Sequence, residues 1–88
     1  MNEELFKNII DDIHTERESQ KIRWSSSFDC KNTLNDWATY INIYLSKATS
    51  AASTDQTVRS NLIKVAALTV TALENFDSTG TFAKRHYD

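Results

Sequence analysis

Residues 62–73 decide the fold, and they read Leu-Ile-Lys-Val-Ala-Ala-Leu-Thr-Val-Thr-Ala-Leu. Together with their flanks they form two apolar stripes at helical spacing, which consist of Val58, Leu62, Val65, Thr69, Ala72, Leu73 and Phe76 on one side and Ile63, Ala67 and Val70 on another. A helix that is apolar all round is typically buried, and small Ala residues let neighbouring helices approach closely. The stretch therefore predicts the central helix of an all-α core.

The length and charge of the chain limit the classes of protein it can belong to. Eighty-eight residues make one domain, which buries roughly 60 to 65% of its unfolded surface and is marginally stable as a lone monomer. The formal net charge of -2 argues against a nucleic-acid binder that acts through a general positive field. We therefore expect copies of the same chain as partners and no nucleic acid.

Cysteine usage and hydropathy indicate the compartment. Cys30 is the single cysteine and cannot form an internal disulfide, and no apolar run reaches the roughly 18 residues that a membrane span needs. The acidic start, Glu3 and Glu4, is unlike the basic start of a secretory signal. We expect a cytoplasmic protein without a membrane partner.

Three helices are predicted in chain order. The first runs from about residue 3 to about 22, with Asn2 as its N-cap, and its second half is polar. A loop covers residues 24–32, and the second helix, which ends at Ala48, opens with a capping box at Thr33 and Asp36. Apolar residues at helical spacing support the first helix, namely Leu5, Phe6, Ile9, Ile10 and Ile13.

The third helix is predicted to open with a capping box at Ser53 and Gln56 and to end near residues 77–78, before Gly80. Residues 1–78 then form a single helical domain, and residues 79–88 form a C-terminal tail. Two helices can cover only about two sides of a third that is apolar all round. We therefore expect the three-helix bundle to be completed by oligomerisation, with partner contacts at or beside Ile63, Ala67 and Val70.

Polar residues within the apolar pattern suggest a ligand site. Lys64 lies inside the apolar run, where it either extends along the surface to water or faces a cleft and attracts phosphate. With Arg17, Lys21 and Arg23 it would form a pocket for an anionic ligand. Trp24 either anchors the loop or forms a wall of that pocket. The spacing of His and Cys predicts no metal site and no catalytic dyad.

The sequence also resembles the MazG-like, all-α nucleotide pyrophosphohydrolase group over about residues 13–77. The resemblance rests on several segments, which are Glu16-Arg17-Glu18-Ser19-Gln20 followed by Trp24, Asp36-Trp37, Ser46-Lys47-Ala48, residues 62–68 and Ala72-Leu73-Glu74. Active members carry two pairs of acids that hold magnesium. The matching positions here are Ile41, Tyr44, Asn61 and Lys64, none of which is a carboxylate.

The resemblance thus implies a nucleotide scaffold without its metal site, because magnesium-assisted hydrolysis needs those acids. The first hypothesis is a non-catalytic protein, without a cofactor, that binds a nucleotide or a nucleotide-derived small molecule. If it is encoded by a phage, it would sequester an immune signal in the host cytoplasm. The expected ligand contacts are Arg17, Gln20, Arg23, Trp24, Trp37, Tyr44, Arg59, Asn61 and Lys64, with rings on a base and cations on phosphate.

Two alternatives belong to other classes. One is a helical protein-interaction module that inhibits a host protein, which predicts an exposed apolar patch and no pocket between Trp24 and Lys64. The other is a magnesium-dependent nucleotide pyrophosphohydrolase that uses a different set of acids, for example Asp11, Asp12 and Glu16 with Glu74.

Overall fold

The computed structural model describes residues 2–23, 31–50 and 52–82. These ranges contain three helices and no strand, namely α1 (Glu3–Arg23), α2 (Leu34–Ala48) and α3 (Asp55–Thr79). The predicted all-α fold of three main helices is therefore confirmed. None of these helices is long and apolar enough to cross a membrane. The predicted loop at 24–32 lies mostly outside the described residues, as does the tail from residue 83 onward.

Side-chain caps define where α1 and α2 begin, as the sequence predicts. The Asn2 Oδ1 accepts hydrogen bonds from the backbone N–H groups of Glu4 (2.9 Å) and Leu5 (3.2 Å). Thr33 and Asp36 form a capping box, because the Asp36 N–H donates to Thr33 Oγ1 (3.1 Å) and the Thr33 N–H donates to Asp36 Oδ2 (2.9 Å). Both helices thus satisfy backbone donors that would otherwise lack partners.

The cap of α3 differs from the prediction by one residue. Thr54, with Thr57 as its partner, forms the capping box that was expected at Ser53 and Gln56. The first hydrogen bond of α3 runs from the Val58 N–H to the Thr54 carbonyl, which makes Thr54 the N-cap, while the Ser53 hydroxyl donates to the carbonyl of Lys47 near the end of α2. At the other end of α3, Gly80 adopts a left-handed conformation (φ 82°), which confirms the predicted stop.

The core lies where α2 packs against α3. Trp37 of α2 is 1% exposed and contacts Leu68 and Ala72 of α3, which are also buried. Half-buried side chains surround this cluster, namely Tyr40, Ile41, Tyr44 and Phe82. Phe82 also lies against Phe76 with ring centroids 5.0 Å apart, so the chain folds back onto α3 after Gly80.

Helix α1 contacts a different side of α3 and crosses it. Asp12 of α1 meets Arg59 near the start of α3, whereas Arg17 meets Glu74 near its end. Five residues of α1 span about 7 Å, while the fifteen residues between Arg59 and Glu74 span about 22 Å. The two helices therefore cross rather than run side by side.

The burial of α3 corrects one expectation from the sequence. Most of the stripe that was predicted to be buried is exposed, including Leu62, Thr69 and Leu73. Ala72 is its one buried member, and the buried side consists of Ala67, Leu68, Thr71, Ala72 and Asn75. Small residues dominate there because α1 and α2 both approach α3 closely.

The residues expected at an oligomer contact are also placed differently. Ala67 is completely buried within the chain, so its predicted role in meeting a partner is wrong. Ile63 is half-buried, and the Val70 side chain is 36% exposed. Oligomerisation itself stays a prediction.

We expect Leu68→Ala to lower the free energy of unfolding by about 2 to 5 kcal/mol, because it leaves a cavity beside Trp37 in the core. A domain of this length has a total stability of roughly 4 to 13 kcal/mol, so urea denaturation followed by circular dichroism will show the change clearly. Ile22→Ala is the matched control, since Ile22 is 88% exposed. A cost below about 1 kcal/mol for Leu68→Ala would contradict this core.

Candidate functional site

Two clefts lie along the crossing of α1 and α3, one on each side of α1. The first, about 390 Å³, lies against the first half of α3 and is lined mainly by polar residues, so we call it the polar cleft. The second, about 240 Å³, lies against the second half of α3 and is mainly apolar. Of the predicted ligand residues, Arg59 lines the first cleft and Arg17 lines the second.

Charged groups of both signs line the polar cleft. Its lining consists of Asp12, Thr15, Glu16, Gln56, Arg59, Ser60 and Ile63. The Arg59 guanidinium donates to Asp12 Oδ2 at 2.7 Å, and the Lys64 Nζ donates to the Ser60 Oγ at 3.3 Å. Since carboxylates offset its cations, this cleft does not offer the strong positive field that a phosphate group favours.

The apolar cleft has an ion pair at its edge, between Arg17 and Glu74. It is lined by Ile10, Ile13, His14, Arg17, Val70 and Glu74. The Arg17 guanidinium bonds to both Glu18 and Glu74, and its side chain is only 15% exposed. This ion pair joins α1 to the last turns of α3, where it borders an apolar depression.

Four side chains of the described part of the chain, Arg17 among them, carry buried polar atoms without a hydrogen-bond partner. The atoms are Arg17 Nε, both amide atoms of Gln20, Asn32 Nδ2 and Trp37 Nε1. Buried polar groups are normally paired, and an unpaired one costs about 1 to 3 kcal/mol. Four of the five atoms are donors, so they suit a group with several acceptor atoms.

The predicted ligand residues occupy several environments. Gln20 and Trp37 are buried, and Tyr44 is half-buried beside the core with the Lys47 Nζ 5.2 Å from its ring centroid. Asn61 donates its side-chain amide to the carbonyl of Thr57 one turn earlier, at 2.9 Å.

Among the described residues the structure brings Arg17 and Gln20 together on one side of α1, and it places Arg59 and Lys64 around the polar cleft. It does not bring these two groups together. Trp24 and the Arg23 side chain lie outside the described residues, so the predicted ring wall beside Lys64 stays a prediction.

Carboxylates do not converge either. Asp12 and Glu16 line the polar cleft, whereas Glu74 lies on the opposite side of α1 with Arg17. Within residues 2–23, 31–50 and 52–82, no group of three or more His, Cys, Asp or Glu side chains could hold a metal ion. The acids of the pyrophosphohydrolase alternative therefore have no shared site in this part of the chain.

An exposed apolar surface spans two helices. We define the apolar surface by six residues of α1 and α3, which are Leu5, Phe6, Ile9, Ile10, Val70 and Leu73. Leu5 is 61% exposed and Leu73 is 54% exposed. The apolar cleft connects the two helices, because Ile10 and Val70 both line it.

Sequence reasoning found the apolar stripe of α1 but assigned it no role. The sequence did contain a signal, because the apolar stripe of α1 ends at Ile13. The buried Gln20 lies beyond it, in the polar half of the helix. The part of α1 that packs inside the chain is thus its less apolar part. Asn32 was missed because nothing in a loop pattern indicates burial.

We expect Gln20→Met to stabilise the ligand-free protein by about 1 to 2 kcal/mol, because it removes two unpaired amide atoms at nearly constant volume. In a domain of this length the midpoint of thermal unfolding would rise by several degrees. Gln56→Met, at an exposed position of α3, is the control and should change little. A destabilised Gln20→Met protein would show that this amide has partners in solution.

Comparisons with known proteins do not add a family to this geometry, since no family model, no curated protein and no solved structure matches the chain.

Proposed function

We propose that this chain is a helical protein-interaction module that binds a protein partner through the apolar surface. The observation that carries the proposal is the exposure of Leu5, Phe6, Ile9 and Ile10, which follow one another on α1 at helical spacing. Contiguous exposed apolar groups rimmed by polar residues are typical of protein contact sites. The non-catalytic, cytoplasmic role expected from the sequence fits this function.

Charged residues occupy the opposite side of α1, so this half of the helix is amphipathic. Lys7 and Asp11 form an ion pair of 2.9 Å there, and Glu3 and Glu4 lie in the first turn. An apolar stripe on an otherwise charged helix is typically covered by a packing partner. A different protein could cover this surface, and so could the homo-oligomer expected from the sequence.

The positions of the predicted ligand residues favour this function over a nucleotide-binding one. A nucleotide site needs ring faces and cations that point into one cavity. Here the Trp37 ring is enclosed in the core, while Arg17 and Arg59 each pair with a carboxylate on opposite sides of α1. The scaffold that this sequence shares in pattern with the MazG-like group would then serve for binding and not for catalysis.

The double variant Phe6→Ser/Ile10→Ser tests the proposal. We expect the dilute wild-type protein to bind a hydrophobic fluorescent dye in its folded state and the double variant to lose most of this binding, because the dye takes the place of the partner. Circular dichroism should show an unchanged helical content, since both side chains are exposed. The control is Ile43→Ser/Leu45→Ser, which removes two comparably exposed residues from α2 and should retain dye binding.

Absence of dye binding by the dilute wild-type protein would contradict the proposal. It would mean that the chain covers these side chains itself in solution.

A second function, binding of a nucleotide or a nucleotide-derived small molecule, is favoured by one specific observation. The unpaired donors of Arg17, Gln20, Asn32 and Trp37 outnumber the single unpaired acceptor, and phosphate and nucleobase groups are rich in acceptors. The Arg17–Glu74 contact places Arg17 beside the last turns of α3, where Asn75 is also buried.

A thermal-shift series with nucleotides, cyclic dinucleotides and ADP-ribose derivatives tests this second function with and without magnesium. A ligand at a hundred times its dissociation constant adds about 2.7 kcal/mol, which raises the midpoint by several degrees. We expect a magnesium-independent shift that Gln20→Met abolishes and Gln56→Met retains. No shift with any nucleotide, or a shift that is the same in Gln20→Met, would refute it.

A further inference from the structure

A row of residues on α3 extends the apolar surface along a third side of that helix. We name this row the α3 seam, and it consists of Leu62, Ala66, Thr69, Leu73 and Phe76. Its members alternate at intervals of four and three residues, which is the spacing of helices that pair side by side. Leu62, Thr69, Leu73 and Phe76 are exposed and Ala66 is half-buried, although α1 and α2 cover the two other sides of α3.

We propose that the α3 seam pairs with the α3 seam of a second copy of this chain, in antiparallel orientation around Thr69. This inference rests on the proposed interaction function and names its partner. It commits to a second copy because the seam is complementary to itself when one copy is reversed.

Side-chain size is the first part of this complementarity. Leu62 and Phe76 lie seven residues before and after Thr69, so each meets the other across the pair. Ala66 and Leu73 lie three and four residues from Thr69, so the small side chain of one copy faces the large one of the other. Alternation of small and large side chains is what close packing of two helices requires.

Charge is the second part. Arg59 is seven residues from Ala66 and Asp77 is four residues from Leu73, so both lie along the same flank of the seam. They are ten and eight residues from Thr69 on opposite sides, and an antiparallel pair therefore brings the Arg59 of each copy near the Asp77 of the other. Arg59 bonds to Asp12 of its own chain, and its guanidinium has further donors for this second carboxylate. A parallel two-fold pair would place these flanks on opposite sides of the contact, so the Arg59 of one copy would not meet the Asp77 of the other.

The size of the contact connects the seam to the rest of the apolar surface. Two helices that pair over four turns bury less than the roughly 800 Å² per partner of a standard interface. The exposed residues of α1 join the seam through Val70 and Leu73 and can supply additional area. We therefore infer that one two-fold contact includes both the seam and Phe6, Ile9 and Ile10 of α1.

Disulfide trapping in full-length protein with Cys30→Ser tests the orientation directly. Leu62→Cys and Phe76→Cys proteins, distinguishable by mass, are oxidised separately and as a mixture. We expect the mixture to form a cross-linked heterodimer and each protein alone to form almost none, because only the antiparallel pair brings residue 62 close to residue 76. The control mixture combines Leu62→Cys with Thr39→Cys, an exposed position of α2, and should not cross-link.

Sedimentation over a wide range of concentrations supplies the second measurement. We expect the mass of two chains for the wild-type protein and of one folded chain for Leu73→Glu, with helical content checked by circular dichroism. Cross-links within each single-cysteine protein would overturn the antiparallel orientation. A wild-type monomer at every concentration would overturn self-association, and if that monomer still binds the dye, the interaction function stands with a different partner.

Discussion

The contact of Trp37 with Leu68 and Ala72 is the interaction on which the rest of the structure depends. It joins α2 to α3 and forms the only cluster of fully buried large side chains in the described part of the molecule. Because Ala67 and Ala72 are small, α3 can accept neighbours on two sides at close range. Two neighbours on two sides nevertheless leave the third side of this 25-residue helix uncovered.

The parts of α1 and α3 that lie outside these helix–helix contacts are exposed. The first turns of α1 extend past the crossing, and the α3 seam has no cover among the described elements. The radius of gyration is 14.3 Å, whereas about 12 Å is typical of a compact domain of this length. The same geometry therefore explains both the modest core and the extensive apolar surface.

The sequence was sufficient to predict the helices, because periodicity, capping residues and Gly80 are local signals. It was wrong about the cap of α3 by one residue, because Ser53 and Thr54 are both suitable N-caps and only the structure shows that Thr54 begins the helix. It also failed on which side of α3 is buried, because nearly every side carries apolar residues and only the positions of α1 and α2 decide. A helix with one polar side would not have had this ambiguity.

The candidate site was harder to predict than the fold. The sequence contains aromatic and basic residues at positions that suit a ligand site. In the structure Trp37 packs in the core, and Arg17 and Arg59 form ion pairs on opposite sides of α1. Such assignments depend on the angle at which α1 crosses α3, and no local pattern encodes that angle. The unpaired amide of Gln20 is likewise visible only once its surroundings are known.

The way α1 is attached has a consequence for the order in which the chain folds. Its ion pairs to α3 join residues 47 and 57 positions apart in sequence, whereas α2 and α3 are joined by a short connection. Closing the longer loops costs more chain entropy, and α1 contributes few buried apolar side chains to offset it. The hairpin of α2 and α3 therefore forms first, and α1 docks last and is released most easily.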